Sequence, residues 1–200
     1  MSKWSMSGER ILEVAAALFY AEGIGAIGVD RVVEESGVSK PTLYAQFGSK
    51  AGLIAAVLDR RREQRQQAIG AYLADAVDPP ASQVLRLFDW FAIGHAKPGF
   101  RGCPFTNAAA ELPDPEHPAR QVIAEYKAWL RTVLTDLAEE DGLPDPPWWG
   151  STLALLIDGA NARVVTTGDT TAIQDARRTA AALIAAAPAL PLPVPAEENR

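Results

Sequence analysis

Proline is almost missing from the first 78 residues of this 200-residue chain: only Pro41 falls there, and the other fourteen of fifteen follow. Proline removes an amide donor and clashes with the helical turn before it, so the first part can run as nearly unbroken helices while the later part is repeatedly interrupted. Apolar residues recur at helical spacing over residues 11–22 (Ile11, Ala15, Leu18, Phe19), and again in a short segment carrying Val29, Val32, Val33 and Ser36. Gly23 and Gly25 end the first of these helices, and Gly37 ends the second. A third segment spans 39–47 and closes at Gly48. Ser49 then caps a long fourth helix, with Leu53, Ile54, Val57 and Leu58 ahead of a polar stretch over 60–67. Farther on, helices are predicted over 84–95, 120–140, 148–167 and 170–187. A Gly/Pro-punctuated connector over 98–118 surrounds a short apolar run at 105–112, and the tail 188–200, with four prolines, is expected to be disordered. No alternating run of β-branched residues and no internal repeat occurs, so the fold class is all-α.

The same sequence excludes several classes of protein. No stretch approaches the roughly 20 apolar residues that span a bilayer, and the N-terminus lacks the apolar core of a secretion signal. Cys103 is the only cysteine, which rules out an intrachain disulfide and a multi-cysteine metal cluster. A cytoplasmic protein with no membrane partner, metal or cofactor is expected. The net charge of −6 opposes nucleic-acid binding at first sight. It is uneven, however: residues 1–65 balance at +1 and the remaining 135 at −7. Any DNA-binding surface is therefore local and N-terminal.

The segment Val32-Val33-Glu34-Glu35-Ser36-Gly37-Val38-Ser39-Lys40-Pro41-Thr42-Leu43-Tyr44-Ala45-Gln46-Phe47 reads as a helix, a tight turn at Gly37 and a second short helix. Val38 and Leu43 plug the space between the two, and Phe47 anchors the end. Ser39 suits the N-cap, and Pro41 is tolerated in a first turn whose amides lack intrahelical partners. Lys40, Thr42, Tyr44 and Gln46 remain for the outer face. Such a helix can enter a major groove with its N-terminal residues toward base edges. Lys40 can donate to guanine or phosphate, Thr42 offers a hydroxyl and a methyl, and the Tyr44 hydroxyl can fix register on phosphate. Lys50 adds charge near the backbone. An ordinary helical hairpin with solvated polar residues is the alternative reading of the same pattern.

Residues 9–58 resemble the N-terminal region of the TetR/AcrR family of bacterial transcriptional regulators. The resemblance is carried by 16–23, Gly37-Val38-Ser39, Thr42-Leu43-Tyr44, Phe47, Ser49-Lys50 and Leu53. It implies an N-terminal three-helix helix-turn-helix DNA-binding domain over 1–48, continuing to about 58. A long helix would join it to a helical ligand-binding and dimerisation domain over 49–187. It further implies a ligand-responsive regulator, most often a repressor, binding a palindromic double-stranded DNA operator as a homodimer. On the same grounds Lys40, Pro41, Thr42, Tyr44 and Lys50, with Gln46, form the DNA-contact set. Gly28 departs from the family by standing where a capping Thr is usual, and Ala51-Gly52 replaces a frequent acidic pair. Both are expected to weaken the starts of their helices.

The C-terminal helices concentrate aromatic residues that either fill a core or line a cavity for a small apolar or aromatic effector. The candidate ligand-binding residues are Trp90, Phe91, His95, Cys103, Phe105, Asn107, Glu111, Tyr126, Trp129, Asp158 and Asn161. The pair Asp158 and Asn161 also reads, and slightly better, as a capped or water-satisfied polar spot in a helix interface, and Glu111 as a partner of neighbouring backbone. Glu111 and Asp158 favour a cationic ligand while Arg101 and Arg163 favour the reverse. The resemblance implies that the last two helices pair with their counterparts in the dimer, and the Ala-rich helices over 153–165 and 172–187 allow such close approach.

Catalysis finds little support. Neither His95 nor His117 has a second histidine at i+4, and phosphate-binding glycine loops are missing. A small helical enzyme, or a redox-sensing regulator acting through Cys103, is the alternative to a ligand-responsive regulator. A cysteine before proline also reads as simple packing.

Overall fold

The computed structural model describes residues 3–75 and 82–187, and among them every regular element is helical. The expected disorder of the tail at 188–200 lies outside the described residues. Helix α1 (Met6–Glu22) begins five residues before its apolar period does, because the Ser5 hydroxyl caps it by accepting from the Gly8 amide at 3.1 Å. Helices α2 (Val29–Ser36) and α3 (Lys40–Phe47) flank Gly37, whose φ of 66° is the left-handed conformation a tight helix-turn-helix corner requires. Gly28 opens α2 with no side-chain cap, as its sequence implies. Ile11, Leu12, Ala15, Val32 and Leu43 are fully buried where these three helices meet.

Helix α4 (Lys50–Ala74) adds Leu53 to that core and then continues for 25 residues into the rest of the molecule. Its entry corrects the expectation for Gly52. A Cβ there would stand 2.1 Å from the Phe47 carbonyl oxygen, so the turn from α3 into α4 depends on glycine. At its other end the buried Arg86 donates to the carbonyls of Tyr72, Leu73 and Asp75 at 2.8, 3.0 and 2.6 Å, gathering oxygens that have no intrahelical partner.

Helix α5 (Gln83–His95) starts under the Asp141 carboxylate, which accepts from the Ser82 hydroxyl and from the Gln83 and Val84 amides. Helix α6 (Pro104–Glu111) lies inside the stretch expected to be a connector, and Pro104 occupies its first position. Helices α7 (Pro118–Glu140) and α8 (Pro146–Thr167) likewise open on prolines, so α8 begins before Trp148. Proline interrupts a helix interior but not its first turn, where its missing amide costs nothing. Helix α9 (Ala172–Ala186) closes the bundle against α5 and α8. Phe88, Phe105, Tyr126, Leu134, Trp149 and Leu153 form its fully buried centre or lie within 2 % of it. Helices α7 and α8 cross closely. A Cβ on Gly150 would meet Thr135 Oγ1 at 2.1 Å and the Arg131 carbonyl oxygen at 2.9 Å.

Candidate nucleic-acid interface and adjoining cavities

Helix α3 buries Leu43 and Phe47 and turns the opposite side outward. Ser39 holds its first turn, accepting from the Thr42 amide at 3.3 Å and sharing a hydroxyl–hydroxyl bond with Thr42 at 2.8 Å. Lys40, Pro41 and Tyr44 are exposed, whereas Thr42, Gln46 and Lys50 are half-buried. The Lys40 ammonium pairs with Asp30 at 2.7 Å, and that hydrogen bond and charge hold its pKa above the usual lysine value. The Gln46 amide oxygen lies against Gly8 of α1. Lys50 Nζ donates to the Ile24 carbonyl at 2.8 Å, tying the start of α4 to the loop after α1. Arg10 donates to the Ser36 carbonyl at 2.6 Å beside the corner, and the Trp4 ring lies 4.7 Å from that of Phe47 at the far end of α3, so α3 is held at both ends.

Two cavities lie where this unit meets the C-terminal bundle. The first, of about 380 Å³, opens between α1, α4 and α6 and is bordered by Asn107 and Glu111. The second, of about 400 Å³, lies between α4 and α5 and is lined by Trp90, Phe91 and His95. Tyr20, Arg61, Phe100 and Pro104 border both. The other candidate residues lie elsewhere. Phe105 stacks on Tyr126 with ring centroids 3.8 Å apart inside the core, and Trp129 leans on Tyr126 at 5.9 Å. Cys103 is buried at the start of α6. Asp158 pairs with Lys127 toward the surface, and the buried Asn161 donates to the Ile157 carbonyl at 2.9 Å. Asp158 and Asn161 thus have partners within the protein and line neither cavity.

The charge of the second cavity comes from residues outside the expected set. Arg61 and Arg65 stand one turn apart on α4, within what reads in sequence as a solvated stretch; their i, i+4 spacing was the available signal. The Arg61 guanidinium sits 4.7 Å over the Tyr20 ring. Burial, and then repulsion from Arg65, lower its pKa from the usual arginine value. Arg65 donates to the Tyr126 hydroxyl at 3.0 Å. His95 is 1 % exposed, and neither ring nitrogen has a partner in hydrogen-bonding geometry. Burial holds its pKa below the usual histidine value, against the weaker opposing influence of the Asn161 side chain and Thr170 backbone.

Contacts cross from the cavity walls to the helix-turn-helix unit. The Tyr20 hydroxyl donates to the Gly102 carbonyl at 3.0 Å and accepts from the Arg101 amide at 2.7 Å. Glu111 accepts from the Gly25 amide at 2.8 Å, so its backbone partner lies 86 residues away rather than nearby. No described helix is long and apolar enough to cross a membrane, and no group of three or more His, Cys, Asp or Glu among the described residues is placed to hold a metal.

Comparison with known proteins agrees with this architecture. Residues 11–57 match the family described as bacterial regulatory proteins, tetR family. The HTH-type transcriptional repressor SCO4008 of Streptomyces coelicolor is 32 % identical over 166 residues, covering 78 % of this chain and 77 % of that protein. The HTH-type transcriptional repressor BdcR of Escherichia coli is 43 % identical over 51 residues, about a quarter of each chain. The crystal structure of SCO4454, a TetR-family transcriptional regulator from Streptomyces coelicolor, superposes with a TM-score of 0.81 and 31 % identity over 90 % of this chain and 95 % of that one. With sequence similarity extending through the bundle as well as the helix-turn-helix, the chain belongs to the TetR family of transcriptional regulators.

Proposed function

We propose that the chain is a ligand-responsive repressor, which binds a palindromic operator as a homodimer in the cytoplasm and releases it when a small apolar or aromatic effector enters the bundle. Residues 1–48 are the DNA-binding unit and 49–187 the effector and dimer unit. Lys40, Pro41, Thr42 and Tyr44 meet the DNA, with Gln46 and Lys50 supporting at the edges. The exposed Lys40 and Tyr44 on one side of a capped short helix favour this set, since phosphate contacts fix register while base contacts specify. Lys40 exchanges Asp30 for phosphate on binding. Relatives named as repressors support repression.

Dimerisation is supported by the outward face of α8, where Leu155 is 73 % exposed and Gly159 and Ala162 leave room for a close neighbour. Two half-sites also supply the specificity that one short helix lacks. The observation that carries the effector reading is Tyr20. It belongs to α1 of the DNA-binding unit, borders both cavities, and is hydrogen-bonded to the Arg101–Gly102 turn. A ligand that moves this turn or Arg61 therefore acts directly on α1, and an effective switch needs a coupling of roughly 1–3 kcal/mol.

The test is fluorescence anisotropy on the DNA upstream of the chain's own gene, at about 50 and 200 mM salt. Wild type is expected to bind saturably and more weakly at the higher salt, and Tyr44→Ala and Lys40→Ala each to weaken it. Binding no tighter than to random DNA, in a genome-wide selection as well as on this fragment, would sink the proposal. Sedimentation of the free protein as a monomer at micromolar concentration would sink the dimer.

A further inference from the structure

The second cavity is charged in one sense only. Arg61, Arg65 and Lys97 line it, and no Asp or Glu does, in a protein whose net charge is −6. Among the described residues Arg61 has neither a hydrogen-bond acceptor nor a carboxylate partner, and its guanidinium lies over the face of Tyr20. Arg65 spends a single N–H on the Tyr126 hydroxyl and likewise lacks a carboxylate. Both are half-buried, and guanidinium groups partly drawn out of water are normally paired, because an uncompensated charge away from solvent is costly. His95, almost wholly buried, closes the same wall with its ring, whose centroid lies 4.3 Å from that of Phe100. Trp90, Phe91 and Phe100 supply apolar surface around these polar groups. A planar guanidinium is matched to a flat, two-oxygen acceptor, and a mostly apolar lining with a few converging polar groups is the usual form of a small-molecule site.

We propose that this cavity selects an organic anion, an aromatic body carrying one acidic oxygen group, with Arg61 and Arg65 binding the anion and Trp90, Phe91 and Phe100 the rings. The inference rests on the effector reading above and narrows it to a chemical class. It also supplies a cause for release: an anion in the cavity competes with the Tyr20 ring for Arg61 and so withdraws a contact from α1.

The probes are anilinonaphthalene sulfonate and its uncharged counterpart N-phenyl-1-naphthylamine, which have the same ring system with and without the acidic group. Each is titrated by fluorescence into the full chain, and each is tested for displacement of the other. Wild type is expected to bind the sulfonate at least about tenfold tighter, with mutual displacement and with salt weakening only the sulfonate. Arg61→Met and Arg65→Met are expected to remove most of that preference while the uncharged probe moves less than about twofold. Lys97→Met, at an exposed position, is expected to remove a smaller part and serves if an arginine variant fails to fold. Equal affinity of wild type for the two probes, parallel loss of both in the arginine variants, or failure of the two to compete would overturn the anion assignment. Operator anisotropy separates this inference from the reading beneath it. Sulfonate binding with no loss of operator affinity leaves the anion site standing and removes the effector reading. Release by the uncharged probe alone keeps the regulator and overturns the anion.

Discussion

Replacing Tyr20 by Phe removes one oxygen and nothing else, and that oxygen serves two bonds between the DNA-binding unit and the bundle. It accepts from the Arg101 amide at 2.7 Å and donates to the Gly102 carbonyl at 3.0 Å. The two losses are unequal. Arg101 is exposed, so water replaces the hydroxyl there at little cost, whereas Gly102 is buried and its carbonyl loses a partner. An exposed hydrogen bond is worth about 0.5 kcal/mol and a buried group left unpaired about 1–3 kcal/mol, so a total near 2 kcal/mol is expected. At this chain length each kcal/mol moves the unfolding midpoint by roughly 2–4 °C, giving a fall of about 4–8 °C. The ring is retained, so the contact with Arg61 at 4.7 Å survives and the cavities keep their walls. The assay is thermal unfolding followed by circular dichroism, with both proteins at the same concentration. Operator affinity of the ligand-free protein should stay unchanged, because the hydroxyl touches neither α2 nor α3. A midpoint within about 1 °C of wild type would refute the reasoning, because it would mean the hydroxyl exchanges protein for water freely and does not join the two units.

At the crossing of α7 and α8, Gly150→Ala forces a methyl against Thr135 Oγ1 and the Arg131 carbonyl and is expected to cost about 1–3 kcal/mol in urea unfolding. Adding Thr135→Ala should recover part of that loss, and a double variant no more stable than Gly150→Ala alone would show that the side chain is not the obstacle. His95 gives a pH dependence of known sign. Its pKa is lowered in the folded chain by burial, so the unfolded chain takes up the proton first as pH falls. The stability tied to neutral His95 is complete above the unfolded value of 6.5 and is lost as pH drops from there toward the folded value. His95→Phe should flatten the fall in unfolding midpoint between about pH 7.5 and 5.5, and an unchanged slope would dismiss His95 as its source.

The helix-turn-helix was legible because its signals are local. Ser39, Ser49 and the glycines at 23, 37 and 48 mark ends that caps and backbone conformation settle within a few residues, and each stands at the expected helix end. The connector was misread through its prolines, since a count of prolines does not distinguish a broken helix from three helices that each begin on one, as α6, α7 and α8 do. Gly52 was misread as a cost because the carbonyl it makes room for belongs to the preceding helix. Of the cavity, the aromatic wall and His95 were legible from composition and period, but Arg61 and Arg65 were not. They stand in one run of arginines with Arg60 and Arg62, which find carboxylates at Glu9 and Asp59, and i, i+4 spacing alone does not separate the two pairs. Tertiary contacts set the second pair apart: Arg61 lies over the Tyr20 ring of α1, and Arg65 meets Tyr126 of α7 and Trp90 of α5.

The three carbonyls gathered by Arg86 make one end of α4 a fulcrum. A helix of 25 residues is about 37 Å long, so a tilt of about 5° about that end sweeps the Ser49 end through roughly 3 Å, more than half a helical pitch. The arginine pair sits near the middle of this lever, so a displacement there is roughly doubled by the time it arrives beside α3.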